Sequence, residues 1–204
     1  MSFQQWLFAA GYDFLNASVE WRIARYRRAT AGTVSGQVLE VGGGTGSNLR
    51  FFPPQARLTF LEPNPHMARR LRRRATKLGR QIDVVEETGE QMPFPDGSFD
   101  TVLTTLVLCS VADIDAVAAE IRRVLRPGGR FVFYEHVVAR GNAGRALQTG
   151  LNPVWKRLVA GCHLDRDVEA AVSQAGFTAV TVERFSIRFG TPLAFPNVVG
   201  EAFA

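Results

Sequence analysis

The chain offers little sulfur or imidazole chemistry. Its 204 residues include two cysteines, Cys109 and Cys162, and three histidines, His66, His136 and His163. The cysteines stand far apart and form no CxxC pair, so neither a disulfide framework nor a zinc site is indicated. No metal is expected, and a reducing cytoplasm is the expected setting. No stretch approaches ~18 uninterrupted apolar residues, so no membrane-spanning helix is expected. The opening MSFQQWLFAA lacks a basic region followed by a long apolar one, and no signal peptide is readable there. Internal repeats and low-complexity tracts are also missing.

What is present is an ordinary globular composition, 46% hydrophobic and 21% charged. A chain of this length buries roughly 70% of its unfolded surface, enough for one domain with a real core. The net charge of +5 comes largely from two clusters, Arg22–Arg28 and Arg69–Arg80. These read as solvated basic helix faces rather than as a nucleic-acid site.

Hydrophobic periodicity orders the chain. Phe3, Trp6, Leu7, Ala10 and Phe14 fall at helical spacing, and a second helix is expected from near Ser18 with Trp21, Ile23 and Tyr26. Strands are expected at Val38–Val41, Leu58–Leu61, Ile82–Val85, Phe99–Thr104 and Arg130–Tyr134. A short helix before Pro53 and Pro54 is expected after the first strand, a second from Pro65, and a third over Asp113–Leu125, ended by Pro127-Gly128-Gly129. Alternation of strand and helix argues for an α/β fold, a mostly parallel sheet with helices on both faces. After Gly141 the pattern changes to helices over Asn142–Val159 and Asp165–Gln174, then strands over Thr178–Phe189 and Val198–Phe203. Two closing strands suggest an antiparallel hairpin at the sheet edge.

The stretch VLEVGGGTGSNLRFF, from Val38 to Phe52, puts an acid and alternate glycines after the first strand. A P-loop would need a Lys that no register supplies, and a dinucleotide fingerprint starting at Gly42 fails at Ser47. Glu40 beside the loop disfavours a pyrophosphate and favours a cation. S-adenosylmethionine fits this demand, with an ammonium, a sulfonium and no phosphate. Glycines let such a ligand lie against backbone. Glu62 ends the second strand, where α/β nucleotide folds place an acid that accepts from both ribose hydroxyls.

Four blocks occur in order: Glu40–Gly46, LEPNP (Leu61–Pro65), GEQMPFPDGSFDTVLTTLVL (Gly89–Leu108) and IRRVLRPGGRFVFYEH (Ile121–His136). Together they resemble class I S-adenosylmethionine-dependent methyltransferases of the type 11 kind. FFPPQARLTFLEPNPH, RVLRPGG and GCHLDRD are most similar to the methyltransferase-like thiol S-methyltransferases, and YDFLN (Tyr12–Asn16) also resembles quinone C-methyltransferases. The eukaryotic thiol enzymes carry a hydrophobic N-terminal anchor, where this chain has an amphipathic helical pattern.

The resemblance implies a Rossmann-like, doubly wound, mostly parallel seven-stranded sheet with a C-terminal antiparallel hairpin. It implies one methyltransferase domain over 1–204: a helical lid over 1–36, a cofactor-binding core over 37–136, and acceptor-side helices with the edge hairpin over 137–204. It places S-adenosylmethionine, with S-adenosylhomocysteine as product, at the carboxyl ends of the first and fourth strands. Gly42, Gly44, Thr45 and Gly46 would line its methionine part, with Glu40 orienting the amino-acid end. Glu62 would hold the ribose beside Pro63, Asn64 and Met67. Gly89, Glu90 and Gln91 would flank the adenine, Thr105, Leu106 and Val107 would close the pocket, and Tyr12 would cover it.

His136, directly after the fifth strand, is the candidate catalytic base, with its neighbour Glu135 behind it. A thiol acceptor makes a base nearly optional, because an alkyl thiol of pKa about 8.5 is already partly thiolate near neutral pH. The expected acceptor is therefore a small-molecule thiol. A quinol, lipid-like or natural-product C-, O- or N-acceptor is the alternative, followed by a binder of S-adenosylmethionine that catalyses nothing. Nucleic-acid methylation is set aside, because TTLVL stands where amino-group DNA methyltransferases carry Asn/Asp-Pro-Pro-aromatic. The N-terminal apolar residues, with the arginines after them, could also rest peripherally on a membrane. No interface pattern gives an oligomeric state.

Overall fold

The computed structural model describes residues 20–159, 161–188 and 194–204. The helical pattern of residues 3–14, and Tyr12 within it, lies outside the described residues. The described part of the first helix, α1, covers residues 20–31 and turns Ile23 and Tyr26 inward while Trp21 stays exposed.

Strands β1 (Gln37–Val41), β2 (Arg57–Leu61), β3 (Ile82–Val85), β4 (Phe99–Thr105) and β5 (Leu125–His136) pair in parallel. Strands β6 (Ala179–Arg188) and β7 (Ala194–Phe203) complete a seven-stranded sheet in the order β3-β2-β1-β4-β5-β7-β6. β7 runs antiparallel to both β5 and β6, so the expected hairpin is present, with β7 inside and β6 at the edge. The order reverses between β1 and β4, which opens a crevice at the carboxyl ends of those strands.

Period-two alternation divides the strands between two cores. Leu39, Val41, Val102, Phe131 and Phe133 face Val117, Ile121 and Val124 of α3 (Ile114–Val124), and Val168 and Val172 of α5 (Val168–Gln174). The intervening Val38, Leu103 and Val132 face Ala31 of α1, and Leu71 and Ala75 of α2 (Pro65–Lys77). β1, β4 and β5 are thus covered on both faces, as their nearly unbroken apolar runs require.

The helix starts follow local chemistry. Asn64 accepts from His66 N at 3.0 Å, and Pro65 needs no donor at the first helical position of α2. Asp113 accepts from the Asp115 and Ala116 amides at the start of α3. Helix α4 (Asn142–Leu158) follows the predicted span, while the pattern from Asp165 becomes helical only at Val168, where the Asp167 side chain caps Ala170 N. Among the described residues no helix is long and apolar enough to cross a membrane.

Three expectations are corrected. The stretch 47–52 forms successive turns instead of a helix, with Leu49 N donating to Gly46 O and Phe51 N to Asn48 O. Pro53 and Pro54 prevent growth beyond it, and the Asn48 side chain is committed to buried partners described below. Pro127-Gly128-Gly129 lies within β5 as a register irregularity opposite Phe99–Thr101, with Gly128 at φ +75°. β7 also begins four residues before its predicted start at Val198, because Pro196 and Asn197 mask the strand pattern.

The inner position of β7 depends on Gly200. A Cβ there would stand 2.5 Å from Phe133 Cζ and 2.6 Å from Thr181 O. Gly200→Ala should lower unfolding free energy by about 1–3 kcal/mol in urea titration, through forced displacement of the Phe133 ring.

Candidate functional site

The crevice holds a pocket of about 410 Å³, lined from the ends of β1, β2 and β4 and from the loop after β3. Its first wall is the glycine loop. Gly42, Gly44 and Gly46 take φ values of +71°, +55° and +81°, a region L side chains rarely adopt. A Cβ on Gly42 would stand 2.1 Å from Val107 Cγ2, so the missing side chain also lets the two walls meet. Gly42 N and Gly43 N both donate to Leu61 O, at 2.8 and 3.2 Å, and fold the loop over the end of β2.

Glu62 fastens that fold. Its Oε2 accepts from Gly44 N at 2.8 Å and its Oε1 from Asn64 N at 2.9 Å. Each oxygen keeps one further acceptor site for a ligand. Burial raises its pKa above the usual carboxylate range, against the lowering effect of the two amides.

Glu40 lies in a buried network joined to the pocket. Its Oε1 accepts from Asn48 Nδ2 at 2.7 Å, and the same nitrogen donates to Thr105 Oγ1 at 3.0 Å. Arg27 Nη1 donates to Asn48 Oδ1 at 3.0 Å and fixes the amide's orientation. The second oxygen of Glu40 is buried with no hydrogen-bond partner among the described residues. Burial pushes its pKa up to about 8, and Glu62 adds repulsion, partly offset by Asn48 and the Arg27 guanidinium. An acid in this state gains from a cation.

The third wall follows β4. Leu106 adopts φ +55°, left-handed for a non-glycine residue, and its amide donates to Tyr134 O at 2.8 Å. The next two amides converge on one carboxylate: Val107 N and Leu108 N donate to Glu135 Oε2 at 3.0 and 3.1 Å. A left-handed leucine costs roughly 1–2 kcal/mol, and each buried amide left unpaired would cost about 1–3 kcal/mol, so Glu135 outweighs the strain. Burial, the main effect, pushes Glu135 up to about 7. Glu90 braces the opposite rim, with Oε1 accepting from Ala112 N at 2.9 Å.

Among the described residues the lining contains three glutamates, Glu62, Glu87 and Glu90, and no Lys, Arg or His, although the chain as a whole carries a charge of +5. Such a pocket repels phosphates and suits a cationic ligand with hydroxyl donors. Among the described residues no cluster of ligating side chains could hold a metal ion.

Gly42, Gly44, Glu62, Pro63, Asn64, Met67, Gly89, Glu90, Thr105, Leu106 and Val107 come together around this space. Glu40, Thr45, Gly46 and Gln91 stand outside the lining, Glu40 joined to it through Asn48 and Thr105. Tyr12 lies outside the described residues. His136 also stands off the pocket, 8% exposed, with its ring 6.2 Å from that of Phe195. Neither ring nitrogen has a hydrogen-bond partner, and burial holds its pKa down at about 4. His136 is therefore a neutral, enclosed imidazole and a weak base.

Sequence reasoning missed Asn48 and Arg27, whose roles need the folded loop and α1. It also missed Glu87, Thr88 and the run Ser110–Ala112 on the rim. Glu135, expected as a weaker candidate base behind His136, instead binds the Val107 and Leu108 amides.

A methyltransferase domain family model matches residues 39–133. The human thiol S-methyltransferases TMT1A and TMT1B are each 38% identical to the chain, over 81 and 82% of it and 69 and 71% of their own lengths. A Thermotoga maritima crystal structure, described as an SAM-dependent methyltransferase and possible histamine N-methyltransferase, superposes with a TM-score of 0.69. That match covers 98% of this chain and 99% of the other at 22% identity, a likeness of fold.

The Glu40 network predicts a pH dependence. The folded chain keeps the Glu40 proton up to about pH 8, against an ordinary carboxyl value of 4.5. Between these values the folded state binds more protons than the unfolded one, so stability falls as pH rises. Glu40→Gln should remove on the order of 3 kcal/mol of that loss between pH 5 and 8, measured as unfolding free energy at each pH.

Proposed function

The chain belongs to the class I S-adenosylmethionine-dependent methyltransferases, and from that membership we propose that its acceptor is a small, largely apolar thiol, methylated on sulfur. The observation that carries this reading is the 38% identity to two thiol S-methyltransferases over four-fifths of the chain. The chemistry of the pocket supports it.

The residues fit the cofactor. The unpartnered oxygen of Glu40 and the cation-free lining suit a ligand with ammonium and sulfonium charge, and the bare backbone at Gly42 and Gly44 suits close approach. Glu62 would accept from the ribose hydroxyls through the acceptor sites its two amides leave open, with Pro63, Asn64 and Met67 alongside. Gly89 and Glu90 would flank the adenine, with Gln91 behind them. Thr45 and Gly46 would shape the turn that presents the loop. Thr105, Leu106 and Val107 would close the side next to the transferred group. When bound, S-adenosylmethionine supplies an electrophilic methyl on its sulfonium.

The chain's own contribution is then positioning and exclusion of water. Fixing two reactants in line can supply about 7–11 kcal/mol of a barrier. A thiol suits a site of this kind, because thiolate is available near neutral pH without a side-chain base. The lining holds no imidazole or amine, and His136 is enclosed and weakly basic. A phenol or carbon acid would ask for a stronger base, and among the described residues the lining offers only carboxylates for that role.

Incubation of the purified chain with S-adenosylmethionine and a panel of thiols, quinols, phenols and amines, followed by mass spectrometry, tests the acceptor. An S-methylated thiol appearing with S-adenosylhomocysteine is the expected product. Methylation of a quinol or phenol alone would overturn the thiol reading, and cofactor binding without any product would favour a non-catalytic binder. His136→Asn should change kcat/KM for the thiol by less than about threefold at pH 8.5, whereas loss of a catalytic base costs roughly 10²-fold or more.

A further inference from the structure

The two cysteines, separated by 53 positions in the chain, meet in space. Their sulfur atoms lie 3.4 Å apart, and both thiols are free and buried. Backbone contacts create the encounter. Gly161 N donates to Lys156 O and Cys162 N to Val159 O, which curls the chain back after α4. His163 N then donates to Cys109 O at 2.7 Å and sets the two segments side by side. Closing to a disulfide bond of about 2.05 Å needs the sulfurs to approach by roughly 1.4 Å.

The two thiols are unequal. Cys109 is 2% exposed and Cys162 is 8% exposed. The two Sγ atoms share a hydrogen bond; that contact favours a thiolate at Cys162, while the same contact and burial keep Cys109 protonated. A more exposed, more acidic sulfur beside an enclosed partner is the arrangement of an attacking and a resolving cysteine. Cys109 also lies directly behind the pocket wall. Its sulfur lies 3.6 Å from Ser110 Oγ, and Val107, Ser110 and Val111 all line the pocket.

We propose that Cys109 and Cys162 form a two-electron oxidation site, closed to an intramolecular disulfide by hydrogen peroxide, which ties the segment after α4 to the pocket wall. The Cys162 thiolate attacks peroxide, gives cysteine sulfenic acid and releases hydroxide. The Cys109 sulfur then displaces that hydroxyl, forming the S–S bond. Counting the thiol protons, both cysteines lose one hydrogen and peroxide leaves as two waters. A thiol reductant reverses the step. In a reducing compartment the bond would be transient, as cytosolic disulfides usually are. This site does not depend on which acceptor the enzyme uses.

The test treats the full chain with hydrogen peroxide, alkylates it with N-ethylmaleimide in denaturant, and measures intact mass and a non-reduced peptide map. Monomer that has lost two hydrogen masses, takes up no alkyl group and yields a Cys109–Cys162 cross-linked peptide is the expected result. Dithiothreitol should restore two alkylation sites. Cys109→Ser should stop at a Cys162 sulfenic acid trapped by dimedone, and Cys162→Ser should leave Cys109 unmodified at the same dose. Two alkylatable cysteines after oxidation, over-oxidation of one cysteine alone, or bonds only between chains would overturn the proposal. The oxidised wild-type chain should also unfold at higher denaturant concentration, since a bond across this loop restricts the unfolded chain. An unchanged or lower midpoint would overturn the tether.

Discussion

Glu135 holds the junction between sheet and pocket. It ends an apolar strand, is fully buried, and spends its carboxylate on the amides of Val107 and Leu108. Those two bonds fix the sharp departure of the chain after β4, where Leu106 is left-handed. Val107 is thereby delivered onto Gly42, so the fourth strand's turn and the first strand's glycine loop form one continuous surface. Glu62 does the corresponding work between β1 and β2. Two carboxylates, each taking two backbone amides, thus assemble three strand ends into a single cradle.

That solution concentrates buried carboxyl groups in a basic protein. Arg25 and Arg28 of α1 and Arg69, Arg72 and Arg73 of α2 are exposed, while Glu40, Glu62 and Glu135 are buried near the strand ends. Desolvation raises the pKa of all three. Burial thus disfavours the ionised form of these acids, and a ligand that brings positive charge and hydroxyl donors favours it. The same feature that costs stability selects the ligand class.

The sheet was legible because its strands are buried on both faces and read as apolar runs between Gly and Pro punctuation. The glycine loop and Glu62 were legible as residue types at strand ends. Asn48 was not, because its importance comes from touching Glu40, Thr105 and Arg27 together, and these are distant in sequence. The false helix after the loop had the right residues but too few before Pro53. His136 drew notice by its place on a strand end, yet β7 and Phe195 cover it. The meeting of Cys109 and Cys162 was hidden for the same reason, since a contact across 53 positions leaves no spacing to read.

β7 follows β6 in the chain but lies between it and β5, and β6 pairs with no other strand. β7 must therefore dock on β5 before β6 joins the sheet or together with it, as one preformed hairpin. Before that moment β5 presents an open edge carrying Phe131, Phe133 and Tyr134, the kind of surface on which nascent chains pair with one another. Shortening the chain by its final ten residues would strand two elements, not one, and would leave that aromatic edge permanently unguarded.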